Sequence, residues 1–182
     1  EILKHSLISN KNFFNFLRKN FLNIKNLKSP FIETAINESC KIKKKVVEQD
    51  EKEKNLRKIL NFGHTFAHAF EACLGFSKKL NHGEAVILGM NAALKFSLEK
   101  DILKLKEYQI IKDHMNNSKL PFNLKDYFSK KDINKIISFM IKDKKNNSNK
   151  INLVLLKKIG SPVIMNFDKK YLQLFFQKQL KN

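Results

Sequence analysis

The chain has 182 residues, which is enough for one domain with its own core, since a chain of this size buries roughly 70% of its unfolded surface. Hydrophobic residues make up 42%, with only 5 Gly and 3 Pro, a composition that excludes a disordered or turn-rich protein and favours helices. The net charge is +19. The lysines behind it are spread along the whole length without clustered arginine and aromatic residues, so we expect no nucleic-acid partner, whereas an anionic small-molecule substrate is compatible with the charge.

The chain shows no sign of secretion or membrane insertion. No segment approaches ~18 uninterrupted apolar residues, and the N-terminus lacks a secretory signal pattern. Two cysteines, Cys40 and Cys73, are too few for a disulfide framework. We therefore expect a cytoplasmic protein with no membrane partner. Because Glu1 already lies within a helical pattern, we also expect further sequence upstream of it.

Helical spacing of apolar residues dominates the chain. It predicts helices over residues 1–21, 31–47, 58–74, 83–98, 103–115, 131–140 and 169–179, with a loop around Pro121. Two short runs rich in Leu and β-branched residues flank Gly160 and predict a small β-hairpin near 151–165. Since no internal repeat or long linker occurs, the prediction is one mainly α domain over residues 1–182.

Three of the five histidines lie in two short pieces, "RKILNFGHTFAHAFE" (57–71) and "LNHGEAVILGM" (80–90). His64 and His68 are four residues apart and share one helical face, with Asn61 one turn earlier. Thr65 occupies the place of the glutamate in HExxH, so the metalloprotease motif is absent. His82 stands at an expected helix start, from which its imidazole can point into a cleft that favours anions.

A catalytic zinc site needs three protein ligands and an open position. Spacing alone favours Glu71 as the third ligand, because it follows His64 by seven residues and His68 by three. Glu84 is weaker, since a separation of two residues from His82 turns it away. The alternative is that these histidines are hydrogen-bonded residues that pack helices together, and the motif alone leaves both interpretations open.

Four separated motifs occur in a fixed order. They are "EILKH", "KKKVVEQDEKEKNLR", a histidine motif made of the two segments "LNFGHTFAHAFE" and "HGEAVILGM", and "IKDKKNNSNKINLVLLKKIGSP". Together they resemble the C-terminal domain of the 3-dehydroquinate synthase family, within the sugar-phosphate cyclases, over residues 1–162. The resemblance implies a multi-helix domain of the dehydroquinate synthase-like fold. It also implies an N-terminal NAD-binding α/β domain, absent from this chain, and a homodimer for the full-length protein.

The resemblance implies roles for particular residues. Glu1, His64 and His82 would hold a divalent metal, zinc or cobalt, so Glu1 displaces Glu71, which becomes a helix-surface or supporting group. His68, Lys4 and Asn61 would be catalytic. The implied substrate-binding set is Lys4, Lys43, Arg57, Asn61, His68 and one of Lys144 and Lys145.

The implied activity is that of an NAD- and metal-dependent lyase. It would convert the seven-carbon keto acid sugar phosphate 3-deoxy-D-arabino-heptulosonate 7-phosphate to 3-dehydroquinate and phosphate, in the shikimate pathway to chorismate and aromatic amino acids. No glycine-rich phosphate turn occurs in the chain, so we expect NAD to be bound mainly by the missing domain and the isolated chain to be inactive. Two alternatives are a sister cyclase of the deoxy-inosose or valiolone type and a non-catalytic basic helical interaction module.

Overall fold

The computed structural model describes residues 1–142 and 150–181. Helices surround one main hydrophobic core, and a two-stranded antiparallel hairpin covers part of it, which confirms the mainly α prediction. The α-helices are α1 (Ile2–Ser9), α2 (Lys11–Lys19), α3 (Phe21–Lys25), α4 (Phe31–Gln49), α5 (His64–Cys73), α6 (His82–Glu99), α7 (Leu105–Asn117), α8 (Ile133–Lys142) and α9 (Lys169–Gln179). Short 3-10 helices span Leu56–Asn61, Leu124–Asp126 and Lys130–Asp132, and the strands are β1 (Lys150–Lys158) and β2 (Ser161–Asp168). Within the described ranges, no helix is both long and apolar enough to span a bilayer.

The first predicted helix, over residues 1–21, is divided in the structure, so the prediction of one continuous helix is wrong. Asn10 adopts an extended conformation between α1 and α2. Its side-chain oxygen accepts hydrogen bonds from the backbone N–H groups of Asn12 at 2.9 Å and Phe13 at 3.3 Å, which is the usual role of Asn at a helix N-terminus. The apolar periodicity hides this break because both helices bury apolar side chains.

The helix predicted over residues 58–74 is also divided, at Gly63. Its φ of +81° lies in the left-handed region, which residues with a side chain rarely adopt. The segment Leu56–Asn61 forms a 3-10 helix before this glycine, and α5 begins after it at His64. Asn61 is therefore not one α-helical turn before His64, as the sequence suggested, but on a separate short element.

Helices α5 and α6 cross closely because two glycines meet between them. A Cβ on Gly63 would lie 2.7 Å from both the Cγ and the backbone N of Met90, and a Cβ on Gly89 would overlap the carbonyl oxygen of Gly63. Beyond this crossing, buried phenylalanine rings from α5, α6 and α9 contact one another at their edges or at tilted angles. The rings are those of Phe66, Phe70, Phe96, Phe175 and Phe176. The crossing fixes the two helices that contain the clustered histidines.

The hairpin packs on α6 and reaches α1. Its strands pair from Lys150↔Asp168 to Lys158↔Ser161, with an irregularity between Leu156 and Lys158. The Leu156 N–H donates to the hydroxyl of Ser97 on α6 at 3.3 Å. At the turn, the Gly160 N–H donates to the carbonyl of Leu7 at 2.7 Å, so the hairpin helps to hold the helix that begins next to Glu1.

Candidate active site

A polar cavity of about 230 Å³ lies among α1, α4, the 3-10 helix Leu56–Asn61 and the start of α5. It is lined by Glu1, Lys4, His5, Lys43, Glu53, Arg57, Leu60, Asn61 and His64. Six of these are residues that the sequence analysis selected: Glu1, Lys4, Lys43, Arg57, Asn61 and His64. The fold therefore brings together candidates that lie up to sixty-three positions apart in the chain.

Glu1 and Lys4 form an ion pair at one wall of the cavity. The Lys4 ammonium donates to the two Glu1 carboxylate oxygens at 2.9 and 3.1 Å, and Lys4 is only 3% exposed. Burial alone would raise the pKa of Glu1, but the hydrogen bond and charge of Lys4 lower it to about 2. Burial lowers the pKa of Lys4, and Glu1 partly offsets this effect. The Glu1 side chain is therefore a carboxylate over the whole physiological pH range.

His64, the first residue of α5, faces this carboxylate. Its Nε2 lies 3.7 Å from Glu1 Oε1, while its Nδ1 lies 3.3 Å from the carbonyl oxygen of Phe62. Burial, followed by the charge of Lys4, lowers the pKa of His64 to about 4. Since a carbonyl can only accept a hydrogen bond, Nδ1 is the nitrogen that has the hydrogen, and Nε2 has a lone pair. A neutral imidazole with a free lone pair is the form that binds metals.

The three histidines selected from the sequence lie side by side. The ring centroid of His64 is 5.6 Å from that of His68 and 5.8 Å from that of His82, and the His68 and His82 rings are 6.4 Å apart. His82 is the first residue of α6, and its Nδ1 lies 3.1 and 3.2 Å from the two carboxylate oxygens of Glu71. The histidine cluster thus begins at the cavity with His64 and extends outward along α5 and α6.

The donor types in this region fit a divalent metal such as zinc, which is commonly bound by two imidazoles and a carboxylate in catalytic sites. The arrangement of the side chains is less complete. In the segments that the structure describes, no group of three or more His, Cys, Asp or Glu is assembled as a metal site. At the cavity, the Lys4 ammonium engages the Glu1 carboxylate. The donor set therefore fits in its chemistry, while Glu1 is held by an ammonium group.

The two glutamates that spacing suggested have other partners. Glu71 contacts His82 across the α5–α6 junction. Glu84 accepts a hydrogen bond from the backbone N–H of Asn81 at 2.9 Å and belongs to a capping box at the start of α6. Lys144 and Lys145 lie outside the described residues.

Besides Leu60, two polar cavity residues were missed by the sequence analysis. The buried His5 places Nδ1 2.7 Å from the Ser39 hydroxyl and Nε2 3.6 Å from Glu1 Oε2, and burial, followed by Lys4, lowers its pKa to about 4. Glu53 accepts a hydrogen bond from the Asn61 amide at 2.9 Å. Nothing local distinguishes Glu53 within its acidic run, and the partner of His5 comes 34 residues later in the chain.

The loop before the 3-10 helix orients Arg57. The Asp50 carboxylate accepts hydrogen bonds from the backbone N–H groups of Lys54, Asn55 and Arg57 at 2.8–3.0 Å. These bonds, that of Arg57 first, lower the pKa of Asp50. The Arg57 guanidinium donates to the carbonyl of Glu51 at 2.8 Å. One carboxylate therefore shapes the loop that brings Arg57 to the cavity.

Comparison with known proteins gives consistent results. A family model described as "3-dehydroquinate synthase C-terminal" matches residues 1–146. The 3-dehydroquinate synthase of Pelagibacter ubique (strain HTCC1062) is 62% identical over 181 residues, which is 99% of this chain and 49% of that protein. The 3-dehydroquinate synthase of Thermoanaerobacter sp. (strain X514) is 41% identical over 155 residues, or 85% of this chain and 42% of that protein. The chain thus spans about half the length of these relatives.

Two solved structures share the fold. The 2-epi-5-epi-valiolone synthase ValA of Streptomyces hygroscopicus subsp. jinggangensis 5008, with NAD⁺ and Zn²⁺ bound, matches 98% of this chain and 49% of its own at a TM-score of 0.83 and 19% identity. A 2-deoxy-scyllo-inosose synthase complexed with carbaglucose-6-phosphate, NAD⁺ and Co²⁺ matches 97% of this chain and 50% of its own at a TM-score of 0.77 and 25% identity.

Proposed function

Because the chain belongs to the 3-dehydroquinate synthase C-terminal family, we propose that it forms the metal- and substrate-binding part of a 3-dehydroquinate synthase. The proposed reaction converts 3-deoxy-D-arabino-heptulosonate 7-phosphate to 3-dehydroquinate and phosphate, a step of the shikimate pathway towards chorismate and aromatic amino acids. An NAD-binding α/β domain would precede this chain, and the active cleft would lie between the two. Such a two-domain protein is consistent with relatives that are about twice as long.

The observation that supports this function best is the set of cations around the polar cavity. Lys4, Lys43 and Arg57 line it from α1, α4 and the 3-10 helix. The proposed substrate has a carboxylate and a phosphate, and both need fixed positive partners. A guanidinium can bind either anion through two parallel hydrogen bonds, whereas an ammonium acts as a point charge. These three side chains would therefore bind the two ends of the substrate.

We propose Glu1, His64 and His82 as the metal ligands. A metal at this position, zinc or cobalt, would polarise a coordinated substrate hydroxyl and lower its pKa, and NAD would supply the redox chemistry. Two of these side chains are in the protonation state that binds a metal, because the Glu1 carboxylate is ionised and the His64 imidazole is neutral near pH 7. One structural neighbour has Zn²⁺ bound and the other Co²⁺, which supports this choice of ion.

His68 and Asn61 would act on the substrate. His68 lies one turn after His64 on α5, with the two rings 5.6 Å apart, and an imidazole is suited to proton transfer near neutral pH. The Asn61 amide nitrogen donates to Glu53, which directs the amide and leaves its oxygen as an acceptor for a substrate hydroxyl. Together these groups would orient the substrate and exchange its protons.

The test uses a two-domain protein, made by joining this chain to the N-terminal half of the Pelagibacter ubique relative. With NAD and Zn²⁺ or Co²⁺, we expect it to release phosphate from 3-deoxy-D-arabino-heptulosonate 7-phosphate and to form dehydroquinate. His64→Ala and His82→Ala should each lower the bound metal measured by elemental analysis, while His114→Phe, which changes a histidine outside the site, should not. Unchanged metal content in both site variants would contradict the assignment of these ligands.

The same protein distinguishes the alternative functions. Phosphate release from the sugar phosphate substrates of inosose- or valiolone-forming cyclases, but not from the heptulosonate, would indicate a sister cyclase. A purely non-catalytic helical module would release phosphate from none of them. The gathering of six predicted site residues in one cavity favours an enzyme, since a module that needs only its fold has no use for this set. Dimer formation and the cytoplasmic location remain predictions.

A further inference from the structure

A single carboxylate holds the outermost histidine of the cluster. Glu71 lies on α5 and His82 begins α6, and both Glu71 oxygens lie within 3.2 Å of His82 Nδ1. The Glu71 side chain is 13% exposed, whereas that of His82 is 58% exposed. The more buried, and therefore the more restricted, of the two partners is the carboxylate.

This contact determines which nitrogen of His82 has the hydrogen. An ionised carboxylate has only acceptor oxygens, so His82 Nδ1 must be the donor. In the neutral imidazole, Nε2 on the opposite edge of the ring then has the lone pair. The His82 ring lies nearly parallel to that of His68, at 23°, and its centroid is 5.8 Å from that of His64, so the imidazole is part of the histidine cluster.

We propose that Glu71 is a positioning residue, which fixes the tautomer and the direction of His82 so that Nε2 can bind the metal. The inference rests on the proposed function, because it concerns the same metal. Carboxylates that hydrogen-bond to a ligating imidazole orient the ring and increase its basicity, and their loss typically weakens metal binding by about 10–100-fold. Glu71 is thus neither a ligand, as spacing suggested, nor an ordinary group on the helix surface.

The first test reads the tautomer without any metal. Nitrogen-15 NMR of the metal-free chain near neutral pH should show the His82 signals of an imidazole protonated at Nδ1. Glu71→Ala should shift these signals towards the pattern of a free imidazole, in which the Nε2-protonated form predominates. The matched control is Glu99→Ala, which breaks another ion pair of α6, to Lys178 at 3.1 Å. A His82 tautomer that does not change in Glu71→Ala would overturn the proposal.

The second test measures metal affinity in the two-domain protein by competition with a chelator. We expect Glu71→Ala to weaken Zn²⁺ or Co²⁺ binding by about 10–100-fold, and Glu99→Ala to leave it within about twofold. In a His82→Ala background the same Glu71 change should have little further effect, because Glu71 acts through His82. An equal loss in both backgrounds would show that Glu71 binds the metal directly.

The two tests separate this inference from the proposed function. A two-domain protein that binds no metal and releases no phosphate would overturn the function itself. A protein that binds metal as tightly after Glu71→Ala as before would overturn only the role of Glu71. Co²⁺ provides an additional readout, since its visible absorption depends on the ligand geometry and should change in Glu71→Ala but not in Glu99→Ala.

Discussion

At the residue scale, burial determines the charge of several histidines. His5, His64 and His114 are all enclosed, and burial is the largest cause that lowers each pKa to about 4. His114 lies outside the cavity, against the edges of Phe14 and Phe21 with ring centroids 5.5 and 5.8 Å apart. Its neutral state therefore affects stability without involving the site.

The first prediction concerns the pH dependence of stability. The pKa of His114 is about 4 in the folded protein against an ordinary 6.5, first through burial and then through the charge of Arg18. Between these values the unfolded chain binds a proton that the folded chain does not, so the free energy of unfolding falls as the pH is lowered from about 6.5 towards 4. In His114→Phe, urea unfolding measured across this range should show a shallower fall. An identical slope in both proteins would contradict the assignment.

The choice of a third candidate metal ligand shows the limit of sequence reasoning at this scale. Helical spacing favoured Glu71 because it lies on the face of α5 that has His64 and His68. Only the fold places Glu1 Oε1 3.7 Å from His64 Nε2 and brings the Glu71 carboxylate into contact with His82 Nδ1. Spacing reports neighbours on one helix, and it contains no information on contacts between helices.

At the element scale, the site depends on the close crossing of α5 and α6. Gly63 has a left-handed conformation and lies between the 3-10 helix that ends at Asn61 and α5, which begins at His64. Gly89 faces Gly63, with no room for a side chain between them. The distance between His64 at the start of α5 and His82 at the start of α6 is therefore set by two glycines rather than by the histidines themselves.

The second prediction tests this crossing. Gly89→Ala would force a methyl group against the Gly63 carbonyl, and we expect it to lower the free energy of unfolding by roughly 1–3 kcal/mol, the usual cost of overpacking. Gly83→Ala is the matched control on the same helix, because nothing lies within 4 Å of its Cβ. There the better helix propensity of alanine should leave stability unchanged or raise it by up to about 1 kcal/mol. Urea or thermal unfolding of both variants measures the difference, and equal stabilities would contradict it.

At the scale of the whole molecule, the chain has the residues that we propose to bind the metal and the substrate. Its sequence has no G-x-G-x-x-G turn, and it spans 49% of the Pelagibacter ubique relative. Glu1, one of the proposed ligands, is the first residue of the chain. In the proposed two-domain protein, the second domain would contribute the cofactor.

The third prediction is that the chain by itself shows no turnover and binds Zn²⁺ or Co²⁺ weakly. The reason is that residues 1–182 contain no glycine-rich turn for NAD and that Lys4 holds the Glu1 carboxylate. Dehydroquinate formation and metal titration, with NAD and metal supplied, should be compared with those of the two-domain protein. Dehydroquinate formation by the isolated chain at a rate comparable to that of the two-domain protein would contradict the proposal that a second domain binds NAD.

The sequence by itself determined the helical class, the position of the hairpin and the motifs from which the candidate residues follow. The periodicity of apolar residues and the order of the motifs can be read from the sequence without knowledge of contacts between distant segments. Only the tertiary structure decided that Asn10 and Gly63 divide predicted helices, that His5 and Glu53 join the cavity, and that Glu71 binds His82. These features depend on a side-chain cap, a left-handed backbone and contacts between distant segments, and packing rather than residue spacing determines such contacts.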